Sequence, residues 1–156
     1  MATLIILLGT FAFAILIRFV FFSPQPISYR FCGRIALAAM FLFTGVSHFL
    51  LDDGMVQMLP EFVPLRYFII YVTGILELFF AIGLLIPKYF RLTGILVIVF
   101  LVCVFPSNVY AALNSVDFGG HGNGPLYLLF RTPLQVLFIG WTWIVAVQNQ
   151  SPKAID

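Results

Sequence analysis

Residues 72–87 read VTGILELFFAIGLLIP, an apolar stretch with one carboxylate, Glu77, near its middle. A charged residue at the centre of a membrane helix costs about 2.5–3.5 kcal/mol on insertion scales. The whole run, Tyr67 to Ile86, approaches the roughly 20 residues that a bilayer-spanning helix needs. Four more runs resemble it: Thr3 to Phe22, Ile35 to Leu51, Leu92 to Leu113, and Pro133 to Val147, the last reaching back toward Leu126. The chain of 156 residues is 62% hydrophobic and only 9% charged, with a mean hydropathy of +1.10. Soluble domains carry about 25% charged residues, so this chain lacks the polar surface that water would require. The expected fold class is all-α, a polytopic transmembrane helix bundle embedded in the lipid bilayer.

A net charge of +2 and the lack of a basic run give no support for a nucleic-acid partner. The two cysteines, Cys32 and Cys103, form no CxxC pair and read as small apolar fillers. No positive residue precedes the first run and no clean small-x-small site follows it, so it reads as a retained helix, with Arg18 snorkelling near its end.

Loop charge sets orientation. Arg18, Arg30 and Arg34 flank the first loop, Lys88 and Arg91 the third, and Lys153 lies in the tail. With five spans these share one side. The opposite side receives LDDGMVQMLPEFVPLR and NSVDFGGHGNGP, with Asp52, Asp53, Glu61 and Asp117 against Arg66 and Arg131. The bias predicts an outside N-terminus and a cytoplasmic C-terminus, in a bacterial inner membrane. Prolines punctuate the runs: Pro24 and Pro26 in the first loop, Pro60 and Pro64 in the second, and Pro87 after the third run. Pro106 is expected to kink the fourth span. GGHGNGP reads as a flexible extracytoplasmic loop.

The polar residues within the spans fall into register. Thr44 and His48 are four apart on the second run, Thr73 and Glu77 on the third, and Arg131 and Gln135 on the fifth; Asn108 follows Pro106 on the fourth. Glu77 lies about ten residues, or roughly 15 Å, below the outer face. Four helices thus offer polar groups at overlapping depths in the outer half of the membrane, which predicts one shared site. Glu77 and His48 are the candidates for proton transfer. Thr44, Thr73, Asn108, Arg131 and Gln135 are candidates for holding a ligand's oxygens. Arg131 is the expected partner of Glu77. Structural glue between helices is the competing reading of the same residues. Gly45, Gly74 and Gly83 read as close-packing positions. Trp141 and Trp143 fall in the inner half of the last span, Tyr67 and Tyr110 near the outer interface. Neither metal nor haem ligation is expected, since His48 and His121 stand apart with no ligand spacing, and no nucleotide-binding motif is present.

The ordered set TGVSHF, MLPEFVP, TGILELFFAIGLLIP, VFPSNVY and RTPLQVLFIGW resembles the DoxX-like family of small membrane proteins, over about Gly33 to Trp143. The matching positions are His48, Pro60, Glu77, Pro106, Asn108, Arg131, Pro133 and Gln135. The resemblance implies a four-helix membrane bundle in residues 30–150. Residues 1–29 would be an added transmembrane helix and linker, and residues 151–156 a short cytoplasmic tail. Family members include subunits of quinone-linked sulfur oxidation and of membrane oxidoreductase complexes, and an animal relative, NACHO, that assists receptor assembly. The expected function is binding of a quinone or similar lipid-like molecule as an oxidoreductase subunit. The alternative is a membrane-protein assembly factor whose polar cluster is structural. Either implies a protein partner or a homo-oligomer.

Overall fold

The computed structural model describes residues 2–21 and 28–148. The expectations for Pro24, Pro26, Lys153 and the 151–156 tail lie outside these residues. Each predicted run is helical: α1 (Ala2–Phe21), α2 (Tyr29–Leu50), α4 (Arg66–Gly83), α5 (Phe90–Leu113) and α6 (Leu128–Thr142). A short α3 (Asp52–Gln57) lies between α2 and α4. A 3₁₀ stretch, His121–Tyr127, leads into α6, and a π-helical turn, Trp143–Val147, ends it. The described residues contain no strand. Five helices are long and apolar enough to cross a membrane, the last running from His121 to Val147 through all three helical forms.

Helix α2 begins six residues before its apolar run. Ser28 caps it by accepting a hydrogen bond from the Arg30 backbone N–H at 3.3 Å. Basic side chains lie over rings here: Arg34 of the added turn is 3.9 Å from the centre of Phe90, and Arg18 of α1 is 3.7 Å from that of Tyr29. Arg30 donates to the Gln148 carbonyl at 3.2 Å. These contacts join the ends of α1, α2, α5 and the π turn.

Glycines set the close approaches. A Cβ on Gly45 would stand 3.1 Å from the Gly74 carbonyl oxygen, and one on Gly74 would stand 2.6 Å from His48 Cβ. Helices α2 and α4 therefore meet almost backbone to backbone. Gly83 receives Thr93 of α5, Gly94 receives Ala146, and Gly33 receives Val145. The π turn supplies the last two contacts, the added residue per turn re-aiming Val145 and Ala146 toward α2 and α5. Helices α2, α4, α5 and α6 thus close a ring around a core that includes Leu37, Phe41, Phe80, Leu84, Val97 and Phe138. Helix α1 packs outside the ring on α2. Its Leu7 is fully buried, its Phe11 meets Trp141 edge-on at 4.9 Å, and much of its remaining surface is exposed and apolar. Cys32 is buried against α1, and Cys103 is exposed on α5.

Candidate functional site

Pro106 and Pro133 lie inside α5 and α6. Each lacks an N–H, so the carbonyls of Val102 and Leu129 lose their helical partner. The polar residues of both helices cluster around these interruptions. Asn108 donates its amide to the Val104 carbonyl at 3.2 Å and accepts from Arg131 Nε at 3.0 Å. Gln135, one turn deeper than Arg131, donates to the Leu101 carbonyl of α5. These bonds tie α5 to α6.

Across the ring, the Gly45–Gly74 crossing lays His48 on the turn of α4 that carries Glu77. His48 Nδ1 is 2.9 Å from the Ile70 carbonyl oxygen, with Thr73 Oγ1 at 3.3 Å. A carbonyl only accepts, so Nδ1 carries a hydrogen. His48 Nε2 then faces Glu77 Oε1 at 3.6 Å. Two bare acceptors would repel, so the contact favours a hydrogen on one of them, the imidazole or the carboxyl. In either placement Glu77 Oε2 is an acceptor, and it is buried without a partner. So is Gln135 Oε1.

The structure differs from the expected Glu77–Arg131 pairing. Among the described residues no ion pair joins them; Glu77 meets His48 instead, and Arg131 is held one helix away by Asn108. The cause is the glycine crossing, which draws α2 onto α4, while α6 is tied to α5. Glu77, Asn108 and Gln135 are all buried polar residues of the ring, and with His48 and Arg131 they make its polar layer. Thr44 is one turn from His48 but bonds the Met40 and Phe41 carbonyls of its own helix. Thr73 likewise bonds Ile69 and Ile70, with His48 as its contact outside α4.

Three features escape the sequence reading. Most of GGHGNGP lies in the 3₁₀ stretch His121–Tyr127 rather than an open loop: Gly119 and Gly120 before it and Gly124 within it take positive φ, which lets the chain fold His121 inward. His121 is buried, bonded through Nδ1 to the Phe118 carbonyl at 2.8 Å and packed edge-on against Tyr127. Second, α3 is pinned by two phenols of α4: Tyr67 donates to Asp53 at 2.8 Å, and Tyr71 donates to Asp52. Third, Gly54 of α3 sits under the ring of Phe118, so the 115–127 segment rests on α3. The i, i+4 spacing of Tyr67 and Tyr71 beside adjacent aspartates was the available signal for the second feature.

Fold and site together define an all-helical bundle, suited by length and composition to cross a bilayer, with a buried polar layer in its ring. The family model described as a domain of unknown function, DUF8561, matches residues 37–146, and the chain belongs to that family. The match runs from α2 into the π turn, takes in every candidate site residue above, and leaves α1 outside. No curated protein and no solved structure matches the chain.

Proposed function

We propose that this is an integral membrane protein, DoxX-like in build, whose polar layer receives the head of a lipid-soluble molecule, a quinone or a close chemical relative. It would serve as a subunit of a membrane oxidoreductase complex. The supporting observation is the pair of orphaned acceptors, Glu77 Oε2 and Gln135 Oε1, buried inside the helix ring. Leaving such a group unpaired costs about 1–3 kcal/mol, and a packed bundle retains it when a ligand completes the set. In this reading the basic residues near Arg30 and Arg91 face the cytoplasm and the polar layer lies toward the outer surface.

A quinone supplies two-electron, two-proton chemistry, with the electrons exchanged with a partner subunit. The Arg131 guanidinium, steadied by Asn108, would hold a ligand oxygen. His48 and Glu77 share one proton and can pass it to or from the ligand, while the Ile70 carbonyl and Thr73 keep the imidazole in one tautomer. The test is extraction of the protein from its native membrane and chromatography of the lipids that stay with it. The expected result is a quinone retained by the natural protein and reduced about 10-fold or more in Arg131→Leu. A protein that carries no lipid-soluble head group would overturn the reading.

One observation favours the assembly-factor alternative. An apolar groove of about 420 Å³ opens between α5 and α6, lined by Ile95, Ile98, Val99, Ile139, Gly140, Trp143 and Ile144. Filling it with Gly140→Phe would abolish capture of a client helix under that alternative and leave quinone retention unchanged under the first reading.

A further inference from the structure

The unpartnered buried atoms of the polar layer are of one kind. Each side-chain amide has one N–H engaged, Asn108 on the Val104 carbonyl and Gln135 on the Leu101 carbonyl. Arg131 Nε is engaged by Asn108, and the His48 Nδ1 hydrogen by Ile70. The buried groups of the layer left without partners are both oxygen acceptors, Glu77 Oε2 and Gln135 Oε1. A ligand that pairs these two oxygens must bring donors. One turn below Glu77, Phe80 meets Phe41 edge-on at 5.9 Å and Phe100 at 5.3 Å. These rings border the layer on the core side.

We infer that the site selects the reduced, hydroxyl-bearing form of its ligand, an aromatic diol, over the oxidised dione. This deepens the quinone reading above and rests on it. A diol presents two O–H donors, one for Glu77 Oε2 and one for Gln135 Oε1. A dione has only acceptors; it can engage the free edge of the Arg131 guanidinium but leaves both orphaned oxygens unpaired. Sites that hydrogen-bond a ligand hydroxyl reject an analogue lacking it, because their own buried polar groups are then stranded. The layer is thus matched to the product of quinone reduction, or to the substrate of quinol oxidation. It holds the diol with its oxygens beside the His48–Glu77 pair.

The test compares decylubiquinol with decylubiquinone, each titrated anaerobically into the purified full chain in lipid nanodiscs and followed by tryptophan fluorescence. The natural chain is expected to bind the quinol at least about 10-fold more tightly. Gln135→Met removes one acceptor at similar volume and is expected to bring the ratio toward unity. Glu77→Gln, oriented with its amide in place of Oε2, exchanges an acceptor for a donor and is expected to raise affinity for the quinone. Helical circular dichroism and a melting transition check that each variant folds; the comparison within the natural chain needs no variant. Equal affinities, as would follow if water paired with both oxygens, or a preference for the quinone, would overturn the selectivity and leave the quinone reading standing. Failure of both compounds to bind would overturn the quinone reading itself.

Discussion

Between α2 and α4 the chain meets backbone to backbone, whereas between α5 and α6 it meets through polar side chains. On the first side Gly45 and Gly74 remove the Cβ atoms that would hold the helices apart, and contact between the helix surfaces supplies the attraction. His48 and Glu77 sit beside that seam, with Nε2 3.6 Å from Oε1. On the second side Gln135 and the Arg131–Asn108 pair are themselves the join. The difference separates holding from doing. Where glycines hold the helices, the polar groups beside them are not needed for the join. Where polar groups hold the helices, Arg131 and Gln135 each commit a donor to the join, and Gln135 Oε1 is left over.

The sharpest way to break this contrast is Gly74→Val. Its Cβ would fall 2.6 Å from His48 Cβ and 3.2 Å from the Gly45 carbonyl oxygen, both on α2. Overpacking usually costs 1–3 kcal/mol; with backbone among the displaced atoms, a loss of about 3 kcal/mol is expected, read as a lower thermal transition in detergent. A mild effect would mean that side chains, not backbones, carry the α2–α4 contact. Gly140 is the control. A Cβ there meets nothing within 4 Å, so Gly140→Ala is expected to stabilise α6 by about 0.5–1 kcal/mol through helix propensity alone.

On the α5–α6 side the contrast is sharpened by a double-mutant cycle of Arg131→Met with Asn108→Leu. Hydrogen bonds between membrane helices average about 0.6 kcal/mol and reach about 1.7. The 3.0 Å bond from a guanidinium places this pair toward the upper part of that range. A coupling near zero, measured by unfolding in bicelles, would show that the α5–α6 join rests on apolar packing instead.

These two seams also mark how far the sequence could be read. The five spans were legible because a bilayer demands long apolar runs, and the site residues were legible because polar groups in such runs are costly. Which group meets which was not. Pairing depends on how each helix is rotated and where it crosses its neighbour, and the sequence shows only that Glu77 needs a partner. Arg131 was the stronger cation, but two glycines brought His48 closer. The same limit hid α3, whose DDG start reads as a turn until Tyr67 and Tyr71 are seen to bond it. It also hid the burial of His121, since a glycine-rich stretch reads as open chain until its positive-φ residues are found turning it inward.

The smallest expected effect separates the two seams most finely. In Thr73→Val the side chain keeps its shape and loses its hydroxyl. That hydroxyl bonds the Ile69 and Ile70 carbonyls within α4, bonds that add little to a helix already formed. Its service outside α4 is the 3.3 Å contact with His48 Nδ1. If backbones hold α2 to α4, the variant should stay within about 0.5 kcal/mol of the natural protein. The change should appear instead in the imidazole, as a shifted His48 ¹⁵N resonance, because Nδ1 then has only the Ile70 carbonyl to fix its hydrogen. A stability loss as large as the Arg131–Asn108 coupling would place Thr73 among the side chains that hold the bundle together. The α2–α4 seam would then be built like its counterpart, and the His48–Glu77 pair would lose the independence from structure that sets it apart.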